Sequence, residues 1–232
     1  MTIKGNRRDL LAGIAGMAGA AALPGRALAQ GAERVDLALL LLVDASASIS
    51  KGTLSFQLEG HAAAFRHPSV VDAIASGRHK RIGVSLAQFA GPESFATLMP
   101  WITLATAEDC ARTAAAIDAL PGIFMGGATA IGSAIVQGVR LLDRCPFAAD
   151  KRKIDVVSNG FSNAGIDPES ARSFAEAAGV TVNALAILDE YEWLERYYAE
   201  QVVAGEDSFV RTADSRASFA QAFLAKLVTE IA

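Results

Sequence analysis

In the stretch DLALLLLVDASASIS, four small oxygen-bearing side chains recur at every second position: Asp44, Ser46, Ser48 and Ser50. Hard divalent cations take oxygen ligands, and Mg²⁺ keeps several of its waters when it binds. One carboxylate with alternating hydroxyls is therefore a donor set suited to a hydrated cation. If the segment is extended, alternation turns Asp44, Ser46 and Ser48 to one side. A local reading competes: Ser48 or Ser50 N-caps a following helix, the usual work of Ser in that place. Thr129 in GGATAIG, and Asn159 and Asn163 in SNGFSNAG, occupy two more polar loops. Taken singly they read as a helix-start residue and two turn residues.

The elements that must position these side chains follow from hydrophobic periodicity. Leu37–Val43 is almost continuously apolar, as expected of a strand covered on both faces. Leu54, Leu58, Ala62 and Phe65 recur at helical spacing and end near HPS. Ile82–Phe89 and Phe95–Ile102 read as strands, and their short AGPES connection favours an antiparallel pair. Helices are expected over Ala107–Leu120 and from Ile131 to Leu142, then a strand at Ile154–Val157. A helix over Pro168–Ala178 follows, with Asp167 as N-cap and Gly179 as stop. Then come a strand at Val180–Ile187, a helix around Trp193–Val203, a short strand at Ser208–Val210 and a last helix carrying Phe219, Phe223, Leu227 and Ile231. This alternation predicts an α/β fold: a mainly parallel sheet with one antiparallel edge strand and helices on both faces. Ligands of such sheets sit beyond the strands' carboxyl ends. The loops at Asp44–Ser48, Gly126–Thr129 and Ser158–Asn163 are expected to converge there.

Residues 1–29 are set aside from the fold. They hold an Arg pair (Arg7, Arg8), an apolar run from Leu10 to Leu23 and the small residues Ala27–Ala29. That is the order of an export signal, with cleavage expected after Ala29. The Arg-Arg-x-Leu-Leu arrangement suggests the twin-arginine route and a periplasmic or secreted destination. The apolar run falls short of the ~20 residues a spanning helix needs, and no later segment looks like a membrane span. The whole chain has 21 basic and 25 acidic residues. Without residues 1–29, which hold four basic and one acidic, 17 and 24 remain, a net charge of −7. Such a balance argues against nucleic-acid binding, which demands basic surface, and suits a cation. Residues 30–232 fit one domain with a sizeable core. Cys110 and Cys145 stand at predicted helix ends, and in an exported protein they are either one disulfide or two free buried thiols.

Taken together, DASAS, the Thr129 loop and a polar turn after a later strand resemble the metal-ion-dependent adhesion site of von Willebrand factor A-like domains. LVDASASIS, FQLEGHAAAFRHPSVVDAI, GGATAIGSAI, IDVVSNGFSNAG and YYAEQVVAGEDSFV further resemble, in order along the chain, a bacterial family of exported von Willebrand factor A-like proteins known as a domain of unknown function. The resemblance implies that Ser46, Ser48 and Thr129 bind Mg²⁺, or Mn²⁺ or Ca²⁺, with Asp44 acting through a water. It also implies a protein partner whose carboxylate completes the ion's coordination. The same pattern leads one to expect an Asp where this chain has Asn159. Asn holds a water through its carbonyl oxygen but brings no charge, so affinity should fall. Asp155 is no substitute, because it lies within the predicted strand.

Enzyme patterns are weak. Phosphotransferases that resemble haloacid dehalogenases need a second acid two residues after the strand-end Asp, and Ser46 stands there. G-x-x-x-x-G-K-[ST] and G-x-G-x-x-G loops are absent, as is G-x-S-x-G. His61, His67 and His79 lack zinc-site spacing. Tyr191, Trp193, Tyr197 and Tyr198 read as packing and not as a ligand cage. The expected function is a non-enzymatic binding module, with a metal-free scaffold as the alternative and an unrecognised hydrolase as a remote third.

Overall fold

A computed structural model describes residues 31–232. The expected signal segment, with Arg7, Arg8, Ala27 and the cleavage site after Ala29, lies outside the described residues. β1 (Arg34–Asp44) leads through α1 (Lys51–Phe65) and α2 (Pro68–Ser76) to β2 (Ile82–Phe89) and β3 (Phe95–Leu104). α3 (Ala107–Asp118) and α4 (Ile131–Asp143) precede β4 (Ala148–Ser158), α5 (Pro168–Ala177) and β5 (Thr181–Ile187). α6 (Leu194–Gln201), β6 (Val210–Ala213) and α7 (Arg216–Ile231) complete the chain.

The six strands run in the order β3-β2-β1-β4-β5-β6. All neighbours are parallel except β2 and β3, so the antiparallel pair sits at an edge. β1 lies in the middle, buried from Leu37 to Asp44, and its side chains divide by strand alternation. Leu37, Leu39, Leu41 and Val43 pack with residues of α1, α2, α3 and α7. Ala38, Leu40 and Leu42 pack with residues of α4, α5 and α6. A buried Leu contributes roughly 1.5–3 kcal/mol, so β1 anchors both layers of core.

From β1 the chain first builds outward on one side, to β2 and β3, and then returns to the other side as β4. The direction of growth therefore reverses between β1 and β4. In open parallel sheets a crevice forms beyond the strand ends at such a point.

Three of the departures from the sequence reading have a clear local cause. The helix expected to end near HPS is followed by α2, because His67 accepts the Ser69 N–H as N-cap and Pro68 opens the helix at N1, where its fixed φ costs nothing. β4 begins six residues early, at Ala148, because its polar start pairs with the start of β1, Arg34 against Ala148. β6 lies at 210–213 and not 208–210, since the ladder to β5 joins Val210 to Ala184 and Ala213 to Ile187.

Candidate metal centre

β1 ends in Asp44, whose carboxylate is fully buried. Its Oδ1 accepts the Ser46 N–H at 2.7 Å, and its Oδ2 accepts the Ser158 hydroxyl at 2.5 Å. Residues 46–49 are a turn and not an extended strand, closed by Ile49 N–H donating to Ser46 C=O at 3.0 Å. This corrects the alternation argument. Ser46 and Ser48 share a side because Asp44 folds the chain back on its own carboxylate, as short Asp side chains do in turns. Ser50, not Ser48, is the α1 N-cap, accepting the Thr53 N–H at 3.0 Å.

The second loop reaches the first through its backbone. Gly126 N–H donates to Ala45 C=O, and Gly127 C=O accepts from Ala47 N–H, both at 3.1 Å. Gly126 and Gly127 have φ of 65° and 79°, a left-handed conformation that glycine adopts without strain. Thr129 is thereby brought to Ser46, to whose Oγ its hydroxyl donates at 2.9 Å. It does not cap α4, whose N-cap Ala130 makes no side-chain bond.

The third loop closes the group. Ser48 hydroxyl donates to Asn159 Oδ1 at 2.9 Å, and Ser46 Oγ and Ser48 Oγ are 3.3 Å apart. Asn163 Oδ1 accepts the Thr129 N–H at 2.9 Å, and Asn163 N–H donates to Thr129 C=O at 2.9 Å. Tyr198, buried on α6, donates its hydroxyl to Gly160 C=O at 2.7 Å and holds the turn from beneath.

Asp44, Ser46, Ser48, Thr129 and Asn159 are thus all brought together at the ends of β1 and β4. Of these, Ser48 and Thr129 line a cleft of about 150 Å³ with Gly160, Phe161, Glu190 and Tyr191 in its wall, while Asp44, Ser46 and Asn159 lie buried behind them. Burial pushes the Asp44 carboxyl above the usual range, against the Ser158 and Ser46 bonds that lower it. Neither of those hydrogen-bond partners carries a positive charge. A buried carboxylate behind four uncharged oxygens fits a hard divalent cation and offers nothing to a soft one.

Two contributors escaped the sequence reading. Ser158, the last residue of β4, lies 114 positions from Asp44. Asp189, two residues beyond β5, accepts from Asn159 Nδ2 at 3.4 Å. A polar residue at or just past a strand end was the only signal available for either.

Phe161 and Tyr191 of the cleft wall belong to a larger aromatic group. Phe161, Tyr191, Trp193 and Tyr197 form an aromatic cluster with ring centroids 5.2–6.5 Å apart. Cys110 and Cys145 are free thiols. The disulfide alternative is corrected: Cys110 packs in the core on one face of the sheet and Cys145 against that on the other. At the opposite end of β1, ligand atoms of Asp36, His79 and Asp150 lie within 4.8 Å of one another. Asp36 is already engaged there by the backbone N–H groups of His79 and Arg81.

The sheet order and the helical layers on both faces are those of a von Willebrand factor A-like fold. The chain belongs to the family described as "Protein of unknown function (DUF1194)", which it matches over residues 34–232. No curated protein matches it in sequence. Among solved structures, proximal thread matrix protein 1 from the mussel byssus, with a zinc-occupied metal-ion-dependent adhesion site motif, is similar at 22% identity. The TM-score is 0.63, over 86% of this chain and 48% of that one. The pilus adhesin SpaC from Lactobacillus rhamnosus GG, in its open conformation, is similar at 17% identity and TM-score 0.62, over 87% and 30%. The SpRpn10 VWA domain is similar at 14% identity and TM-score 0.56, over 82% and 94%. The chain therefore spans about half the mussel protein and less than a third of the adhesin.

Proposed function

We propose that this protein is an exported, non-enzymatic binding domain that holds a divalent cation at the β1–β4 switch point and engages a carboxylate on a protein partner. The observation that carries this is the meeting of four uncharged oxygens over the buried carboxylate of Asp44, whose own hydrogen-bond partners, Ser46 and Ser158, carry no positive charge. Ser46, Ser48, Thr129 and Asn159 would hold the ion, with Asp44 behind them and Mg²⁺, Mn²⁺ or Ca²⁺ as candidates. Bound there, the ion supplies a Lewis-acidic position for an anionic oxygen. Because most of these donors are neutral, positive charge is left over for a partner's carboxylate. Asp44 orients Ser46 through its N–H, and Asn163 fixes Thr129 through both backbone groups. Likeness to matrix and adhesion proteins supports the reading at the level of fold.

A second reading, a metal-free scaffold, is favoured by one observation. Thr129, Ser46, Ser48 and Asn159 already satisfy one another in a chain of hydrogen bonds. Calorimetric titration of residues 30–232 with Mg²⁺ and Mn²⁺ separates the two. Metal binding predicts heat that Ser46→Ala abolishes and Asn159→Asp strengthens. Heat appearing only in Asn159→Asp would sink the metal reading for the natural chain and leave the scaffold.

A further inference from the structure

Asn159 presents a chemical ambiguity. An amide offers an oxygen from one end and two N–H donors from the other. Only the oxygen suits a cation; the NH₂ group turned inward would oppose it. Ser48 cannot choose between them, because a hydroxyl donates to the oxygen or accepts from the nitrogen equally well. The choice therefore falls to whatever faces the other end of the amide.

That group is Asp189. It stands just past β5, which pairs with β4 in parallel register up to Ser158 against Ala186, so Asn159 and Asp189 emerge side by side. An ionised carboxylate only accepts hydrogen bonds. With the Asn159 amide 1% exposed and Asp189 Oδ2 at 3.4 Å from Nδ2, flipping the amide would set oxygen against oxygen. It would also turn N–H toward Ser48.

We propose that Asp189 is the positioning residue of the metal centre: it holds Asn159 with its oxygen toward the cation and returns, one bond further out, the negative charge that Asn159 lacks. This rests on the metal reading above. Carboxylates behind a metal ligand commonly fix its orientation and raise its basicity, and their loss costs about 10–100-fold in affinity. Asp189 and Asn159 together then do the work of a single carboxylate. Glu190 also borders the cleft, but no hydrogen bond to Asn159 connects it to the amide.

The test is Mn²⁺ affinity by calorimetry for Asp189→Ala and Glu190→Ala, each in the natural chain and in the Asn159→Asp background. Asp189 is exposed, so its removal should leave the fold intact, as circular dichroism would verify. In the natural chain Asp189→Ala should weaken binding about ten-fold or more, and Glu190→Ala by less. In the Asn159→Asp background that loss should vanish or reverse. Two adjacent carboxylates repel there, so Asp189→Ala leaves affinity unchanged or improved. A similar loss in both backgrounds would mean a general field of negative charge and would overturn the positioning role. Metal binding that ignores Asp189→Ala would overturn it too, leaving the metal reading intact. No binding by the natural chain, with binding in Asn159→Asp, would overturn both.

Discussion

Thr129 stands two residues ahead of α4, a region where hydroxyls ordinarily serve as caps. Its side chain is 5% exposed and turned instead to Ser46, so capping is not what its hydroxyl does. Thr129→Val keeps the branched shape and removes the donor. Losing one buried hydrogen bond costs about 1 kcal/mol, which for a domain of this size lowers Tm by about 2–4 °C. Mn²⁺ affinity should fall much further, by at least about ten-fold, because a proposed ligand is gone. A variant with lowered Tm and unchanged Mn²⁺ affinity would remove Thr129 from the ligand set. Ser46, Ser48 and Thr129 were legible in the sequence as polar residues in short loops flanking apolar elements. Ser158 and Asp189 were not, since nothing local distinguishes a Ser or Asp at a strand end that meets a distant residue from one that meets water.

At the scale of elements, α7 holds the greatest departure from its sequence pattern. Phe219, Phe223 and Leu227 pack as their spacing predicts, yet Lys226 and Glu230 are also fully buried. Lys226 Nζ lies 2.5 Å from Asp155 on β4 and 2.6 Å from Glu230. Asn183 on β5 donates to Glu230 Oε1 at 2.8 Å, and Lys153 donates to the Glu230 carbonyl at 2.8 Å. One buried ammonium thus faces two carboxyls. Burial first, and the Asp155 charge second, push Glu230 up to about 7 against the pull of Lys226. A folded-state value above the unfolded 4.5 means that the folded state binds this proton more tightly. Its contribution to stability is complete below about pH 4.5 and is lost as pH rises through 7. His61 on α1, driven down to about 4 mainly by its burial, acts oppositely: its contribution is complete above 6.5 and is lost as pH falls toward 4. Glu230→Gln isolates the first effect. Its Tm relative to the natural protein should rise between pH 5 and pH 8, and a difference that stays flat across that range would refute the buried-proton account.

At the scale of the whole molecule, the fold separates its polar features by position. The candidate metal centre caps the carboxyl ends of the strands, the Lys226 group lies under α7 between sheet and helix, and the two thiols lie on opposite faces. Among the described residues no helix is long and apolar enough to cross a membrane. With residues 1–29 removed, the net charge of −7 favours the approach of a cation over that of an anionic polymer. Export by the twin-arginine route is our proposal for this chain and makes a cellular prediction. Arg7→Lys with Arg8→Lys should leave the precursor in the cytoplasm, whereas the natural chain is processed and recovered outside it. Equal recovery of both outside the cytoplasm would reject that route.

Periodicity carries local information, and it sufficed for much of this protein. The unbroken apolar run of β1 points to cover on both faces, the alternation of strands and helices to a largely parallel sheet, and the five-residue AGPES link favours an antiparallel pair. Ser50 and Asp167 act as caps from local chemistry alone. Which loops meet was decided by the strand order. Setting β4 beside β1 brings Ser48 to Asn159 across 111 positions, and setting β5 beside β4 brings Asp189 to Asn159. The same arrangement parted Cys110 from Cys145 and buried Lys226 against Asp155. Bonds of this kind depend on sheet order and register, which are set by the burial of both core layers at once and by no single segment of the chain.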